Sequence, residues 1–126
     1  MTYSDQTPQH ILVVDDMPAI CSLVATILRD EGYQVTTAQN GQEAWQQIQD
    51  ERPDLVLLDL QMPVMTGWEL QKQLQDEGCC VPVVFMTAGP QARIEAERHH
   101  ADGYVAKPFD PDTLVATVAR LAATKV

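Results

Sequence analysis

The run Leu55-Val56-Leu57-Leu58-Asp59 decides the fold. Its four apolar residues do not alternate with polar ones, so a strand built from them is buried on both faces. That is the signature of a parallel sheet covered by helices on either side. The run ends on an aspartate. Aspartate is depleted in strands and costly to bury without a partner. Asp59 therefore reads as a carboxylate held at a strand end for chemistry rather than for packing.

Upstream of this run, Ile11 to Val14 is a second apolar stretch, rich in β-branched residues, that stops at Asp15-Asp16. Pro18 suits the first turn of a helix, where its missing N–H costs nothing. Ile20, Leu23, Val24, Ile27 and Leu28 give that helix an apolar face, and Gly32 ends it. Gln34 to Ala38 reads as a strand. Asn40-Gly41 reads as a turn, and Ala44, Trp45 and Ile48 mark a helix to about Glu51.

Downstream, Thr66 and Glu69 have the spacing of a capping box, which starts a third helix with Leu70 and Leu74 inward and Gly78 at its close. Val81 to Met86 forms a fourth strand, with Pro82 near its start. Residues 91–100 are helical with a thin apolar face, Ile94 being the main anchor. Asp102-Gly103 turns into a short strand, Tyr104 to Ala106. Asp110-Pro111 opens a last helix with Leu114, Val115, Val118 and Leu121 inward. Strand and helix thus alternate five times with short connections, the pattern of a doubly wound α/β sandwich. Right-handed crossovers place helices on both faces, and ligands in such folds sit at the carboxyl ends of the strands.

Composition narrows the function. The chain has 126 residues, enough for one domain, with residues 1–9 read as an N-terminal tail and 10–126 as the domain. Its 8 basic and 18 acidic residues give a net charge of −10, which repels phosphate backbones and argues against direct nucleic-acid binding. Three cysteines, Cys21, Cys79 and Cys80, form no disulfide framework and no zinc pattern; Cys21 reads as a small core residue. No apolar stretch is long enough to span a bilayer, and the first residues lack a signal peptide's basic and apolar regions. A cytoplasmic domain without membrane contact is the expectation. His99-His100 are adjacent, so on a helix they point apart and do not form a metal pair.

The chemistry gathers at strand ends. Asp15 and Asp16 follow the first strand, Asp59 ends the third, Thr87 ends the fourth and Lys107 follows the fifth. In a parallel sheet these ends share one edge. Three carboxylates in one pocket repel one another, and a hard dication such as Mg²⁺ relieves that. Lys107 adds a fixed positive charge, and the Thr87 hydroxyl can donate to an anionic oxygen. Such a set neutralises a phosphoryl group in transfer, and a carboxylate is itself a covalent phosphoryl acceptor. Each residue has a plainer role: Asp16 as a helix cap, Thr87 as a strand residue, Lys107 as a surface lysine, Tyr104 as a partly exposed edge aromatic. The joint placement of Asp15, Asp16, Asp59, Thr87 and Lys107 outweighs these one by one.

The pieces ILVVDD at 11–16, PDLVLLDLQMP at 53–63, Gly67, FMTA at 85–88 and GYVAKPF at 103–109 resemble, in this order and spacing, the receiver domain of bacterial two-component response regulators. The resemblance covers residues 10 to 122. It implies a (βα)5 flavodoxin-like sandwich with a parallel five-stranded sheet of order 2-1-3-4-5. It also implies that Asp59 takes a phosphoryl group from a histidine kinase or a histidine phosphotransfer protein. Asp16 and Asp59 would bind Mg²⁺, with the backbone carbonyl of Gln61 as a further ligand, and Asp15 would act through a water or by tuning the site. Thr87 and Lys107 would contact the phosphoryl oxygens, and Tyr104 would change rotamer as Thr87 moves. The implied output face is the fourth helix, fifth strand and fifth helix, serving a downstream protein or an output domain in a longer regulator or hybrid kinase. The chain departs from the family in a slightly short stretch between Thr87 and Lys107 and in His99-His100, where a glycine often ends the helix.

Two alternatives are discriminated by position. Aspartate-dependent phosphatases carry a second aspartate two residues after the nucleophile, where this chain has Gln61. A binding module that never becomes phosphorylated usually loses an acidic residue or the lysine, and all five positions stand here.

Overall fold

Strands and helices alternate along the chain as β1 (His10–Val14), α1 (Pro18–Asp30), β2 (Gln34–Ala38), α2 (Gly41–Asp50), β3 (Leu55–Asp59), α3 (Gly67–Asp76), β4 (Val83–Ala88), α4 (Gln91–Arg98), β5 (Gly103–Lys107) and α5 (Pro111–Ala123). The computed structural model describes residues 9–59, 67–78, 81–88, 91–98, 101–107 and 109–123; within those ranges the side chains of 67, 68, 71, 87, 88, 91–93, 95 and 123 are outside the description. All four strand pairings are parallel and the sheet order is β2-β1-β3-β4-β5. The parallel sheet agrees with the unbroken apolar run of β3, its five strands with the fivefold alternation of strand and helix, and its order with the family resemblance.

Alternation along each central strand divides the core. Ile11, Val13, Leu55, Leu57, Val84 and Met86 point toward α1 and α5, where Val24, Leu28, Leu114 and Val118 meet them. Leu12, Val14, Val56, Leu58, Val83 and Phe85 point the other way, toward Ala44 and Ile48 of α2, Leu70 and Leu74 of α3 and Ala96 of α4. Each residue of β3 is thereby buried, including Asp59.

Several local readings change. Leu23 is 50% exposed rather than inward. The buried stripe of α1 is Cys21, Val24, Ala25 and Leu28; at 3.6 residues per turn Leu23 lies roughly 150° round the helix from its centre. Ile94, expected to anchor α4, is also 50% exposed, and among the helix's described side chains the smaller Ala96 is the buried one. β4 begins at Val83 and runs to Ala88, two residues later at each end than its apolar run suggested. Asn40 is a helix cap rather than a free turn: its side chain accepts from the Glu43 amide at 2.8 Å, while the Glu43 carboxylate accepts from the Gln39 amide at 2.9 Å. The proposed capping box at Thr66 and the residues Cys79, Cys80, His99 and His100 lie outside the described residues.

Two aspartates pin the amino ends of the strands. The Asp54 amide donates to the His10 carbonyl at 2.7 Å, and the His10 amide returns a bond to the Asp54 carboxylate at 2.7 Å. Asp102 and Val83 repeat the motif, both bonds being 2.8 Å. Each ring ties the residue before one strand to the start of its neighbour, so β1 is set against β3 and β4 against β5. Registers fixed at this edge align the functional residues at the other.

Candidate functional site

The register carries the polar residues to one edge. Val14 pairs with Leu58, so Asp15 leaves β1 beside Asp59. Asp59 pairs with Met86, Thr87 with Ala106, and Ala88 with Lys107. Residues from four quarters of the sequence therefore meet at the carboxyl ends of the three central strands and β5.

Asp15 is fully buried and Asp59 is 5% exposed, whereas Asp16 is open to solvent. One carboxylate oxygen from each lies within 4.8 Å of the others. Lys107 stands among them: its ammonium donates to Asp15 Oδ2 at 2.6 Å and lies 3.5 Å from Asp59 Oδ1. Burial pulls the Lys107 pKa down, but the hydrogen bond to Asp15 and the charges of Asp59 and Asp15 outweigh it, and the ammonium is held above its ordinary value. A charged lysine is thus built into the site.

The two oxygens of Asp15 are both engaged. Oδ2 takes Lys107, and Oδ1 accepts the Met17 amide at 2.9 Å, a side-chain bond to the backbone two residues on. Asp15 is consequently a fixed anchor for the lysine and for the loop entering α1. The Asp15 backbone is held as well: its amide donates to the Ala38 carbonyl at 3.1 Å, and its carbonyl accepts the Cys21 thiol at 3.3 Å. Burial, then the nearby Asp15 charge, push the Cys21 thiol pKa up, so it stays a neutral donor.

Asp16 does not cap α1. The N-cap is Met17, with no side-chain cap bond. This removes the plainer role considered for Asp16 and leaves an exposed carboxylate at the mouth of a buried acid pair. Three carboxylates against one ammonium leave two negative charges in excess when all are ionised. The donor set is all oxygen, gathered within the span of one coordination sphere, and open to water on the Asp16 side. Those features suit a hard divalent cation.

Of the other sequence candidates, Thr87 is placed by its backbone alone, inside β4 next to the strand's end. Gln61 lies outside the described residues. Tyr104 is 41% exposed on β5; it pairs with Phe85, which pairs in turn with Leu58 next to Asp59, so it lies two strands across the sheet from the acids. Met17 and Cys21 were missed as parts of the site. The signal for Met17 was the Asp-x-Met spacing; for Cys21 nothing in sequence distinguished a core thiol from one bonded to the site's backbone.

The model of the response regulator receiver domain family matches residues 11–119. The chain belongs to the response regulator receiver domain family. The receiver is 41% identical over 121 residues to the DNA-binding response regulator MtrA of Mycolicibacterium smegmatis, covering 93% of this chain and 52% of that protein. It is 37% identical over 112 residues to the alkaline phosphatase synthesis transcriptional regulatory protein PhoP of Bacillus subtilis, covering 87% and 47%. The chain thus spans about half the length of these relatives, and the DNA binding named for MtrA is said of that protein. Among solved structures, the receiver domain of NtrX from Brucella abortus superposes with a TM-score of 0.85 at 34% identity, covering 91% of this chain and 99% of that one. The chemotaxis response regulator CheY4 of Vibrio cholerae gives 0.81 at 37%, with the same coverage. The receiver is a signalling domain of two-component systems. Among the described residues no helix is long and apolar enough to cross a membrane.

Proposed function

We propose that Asp59 is the phosphoacceptor of this receiver, with Lys107 and Asp15 as its fixed electrostatic frame. The observation that carries this reading is the Lys107 ammonium placed between two buried carboxylates, 2.6 Å from Asp15 and 3.5 Å from Asp59. Asp15 commits both oxygens to Lys107 and the Met17 amide, and Asp59 is the carboxylate that the family resemblance marks as the acceptor.

Asp16 and Asp59 would hold Mg²⁺, with Asp15 acting through a water and, by family resemblance, the Gln61 carbonyl as a further ligand. When bound, the ion supplies charge neutralisation for the phosphoryl oxygens. The donor is the phosphohistidine of a histidine kinase or a phosphotransfer protein. An Asp59 carboxylate oxygen forms the new P–O bond as the donor's P–N bond breaks, and the electron pair returns to the imidazole. Lys107 stabilises negative charge on the transferred group. The phosphorylated side chain carries up to about two negative charges. Thr87 and Lys107 are drawn to it, and the exposed Tyr104 reports the change on the α4–β5–α5 face. A downstream protein, or an output domain of a longer regulator, reads that face by population shift.

Incubation with Mg²⁺ and a small phosphodonor, followed by intact mass measurement, tests this. Wild type gains one phosphoryl mass only when Mg²⁺ is present. Gain by Asp59→Asn, or none by wild type, would refute it.

A further inference from the structure

β2 is the outer strand of the sheet on the β1 side. Its phase in the ladder follows from two bonds: the Gln34 amide donates to the Gln9 carbonyl at 2.9 Å, and the Ala38 carbonyl accepts the Asp15 amide at 3.1 Å. In a parallel ladder, residues 34, 36 and 38 thus face β1, while the backbone groups of Val35 and Thr37 face outward. Such an edge is a template for another strand. The sequence of β2, QVTTA, makes the hazard acute, because it holds three β-branched residues and no charge to repel a partner.

Both outward carbonyls are nevertheless occupied. Arg29, from the last turn of α1, donates Nη2 to the Val35 carbonyl at 2.9 Å. Gln47, from α2, donates Nε2 to the Thr37 carbonyl at 2.9 Å. The two helices lie on opposite faces of the sheet, so one latch reaches round from each face. We propose that Arg29 and Gln47 close a latent strand-addition surface on β2 whose partner is β2 of a second copy of this chain. Two identical edges related by a two-fold axis pair antiparallel, and each needs the acceptors at Val35 and Thr37 that the latches now occupy.

The test is sedimentation velocity over a concentration series on the unphosphorylated full chain, comparing wild type with Arg29→Ala/Gln47→Ala. The double variant dimerises at a concentration at least about tenfold lower than wild type. Adding Thr37→Lys, which places a charge on the opened edge, returns it to wild-type behaviour. Association equal to wild type with a native far-UV CD spectrum overturns the proposal, as does association that Thr37→Lys leaves unchanged. Should the double variant fail to fold, Gln47→Met alone decides: it keeps the side chain's length, removes the donor without adding a charge to the edge, and shifts association in the same direction if the latch is real. No shift overturns it.

Discussion

The Lys107 ammonium donates a 2.6 Å hydrogen bond to Asp15, a carboxylate 92 residues away in sequence that has no solvent exposure of its own. Asp15 exists in the core because Lys107 and the Met17 amide compensate it, and Lys107 stays charged because Asp15 and Asp59 face it. The pair is the structural core of the site, and most of what can be tested concerns it.

Removing the lysine and removing the acceptor should act in opposite directions. Lys107→Met strands a buried carboxylate and costs about 3 kcal/mol in Mg²⁺-free urea unfolding. Asp59→Asn removes one of three clustered like charges and leaves the protein as stable as wild type, or more stable by about 1 kcal/mol. Destabilisation by both would show that the contacts of Asp59 outweigh the repulsion its removal relieves.

The pH dependence has a definite sign. Lys107 has a raised pKa in the folded chain, against about 10.4 when unfolded. The folded protein then binds the proton more tightly, so the contribution is whole below the unfolded value and is lost as pH rises through the folded one. Wild type should therefore lose stability above about pH 10.4 faster than Lys107→Met does. Subtracting the two curves isolates the lysine from the tyrosines and other lysines that titrate nearby. Parallel curves would contradict the pairing.

Mg²⁺ should stabilise the folded chain by mass action. At tenfold its dissociation constant the gain is roughly 1.4 kcal/mol. Asp16→Asn, an exposed substitution at the pocket's mouth, should abolish most of this gain while leaving ion-free stability unchanged within about 0.5 kcal/mol. A thermal melt with and without the ion measures both. An undiminished gain in Asp16→Asn would place the ion elsewhere.

At the far edge, Asp54→Ala should cost about 2 kcal/mol, because the carboxylate accepting the His10 amide is lost from a partly buried position. Asp102→Ala should cost a similar amount through Val83. Chemical denaturation checks both, and substitutions that prove neutral would mean that the backbone bonds alone set the registers.

Much of this was legible in the chain. LVLLD announced a strand buried on both faces, and the strand-end residues Asp15, Asp59 and Lys107 meet as parallel alignment requires. What escaped reading was orientation within elements. Leu23 and Ile94 are apolar, yet residue type does not say which side of a helix is buried, and here the smaller Cys21, Ala25 and Ala96 lie inward. Asp102 read only as a turn residue before a glycine, and Asp54 was given no role of its own, because a bond to a neighbouring strand leaves no local pattern. The engagement of both Asp15 oxygens was equally hidden, since one partner is a backbone amide and the other lies at the opposite end of the chain.

The central claim is that Asp59, and no other carboxylate of the cluster, receives phosphate. Phosphorylating the receiver in Mg²⁺, trapping the acyl phosphate by borohydride reduction and sequencing the peptides by mass spectrometry reads the modified residue directly. The account predicts reduction of Asp59 to homoserine, with Asp15 and Asp16 unchanged. Reduction at Asp15 or Asp16, or no trapped residue from protein that has taken up phosphate, would contradict it.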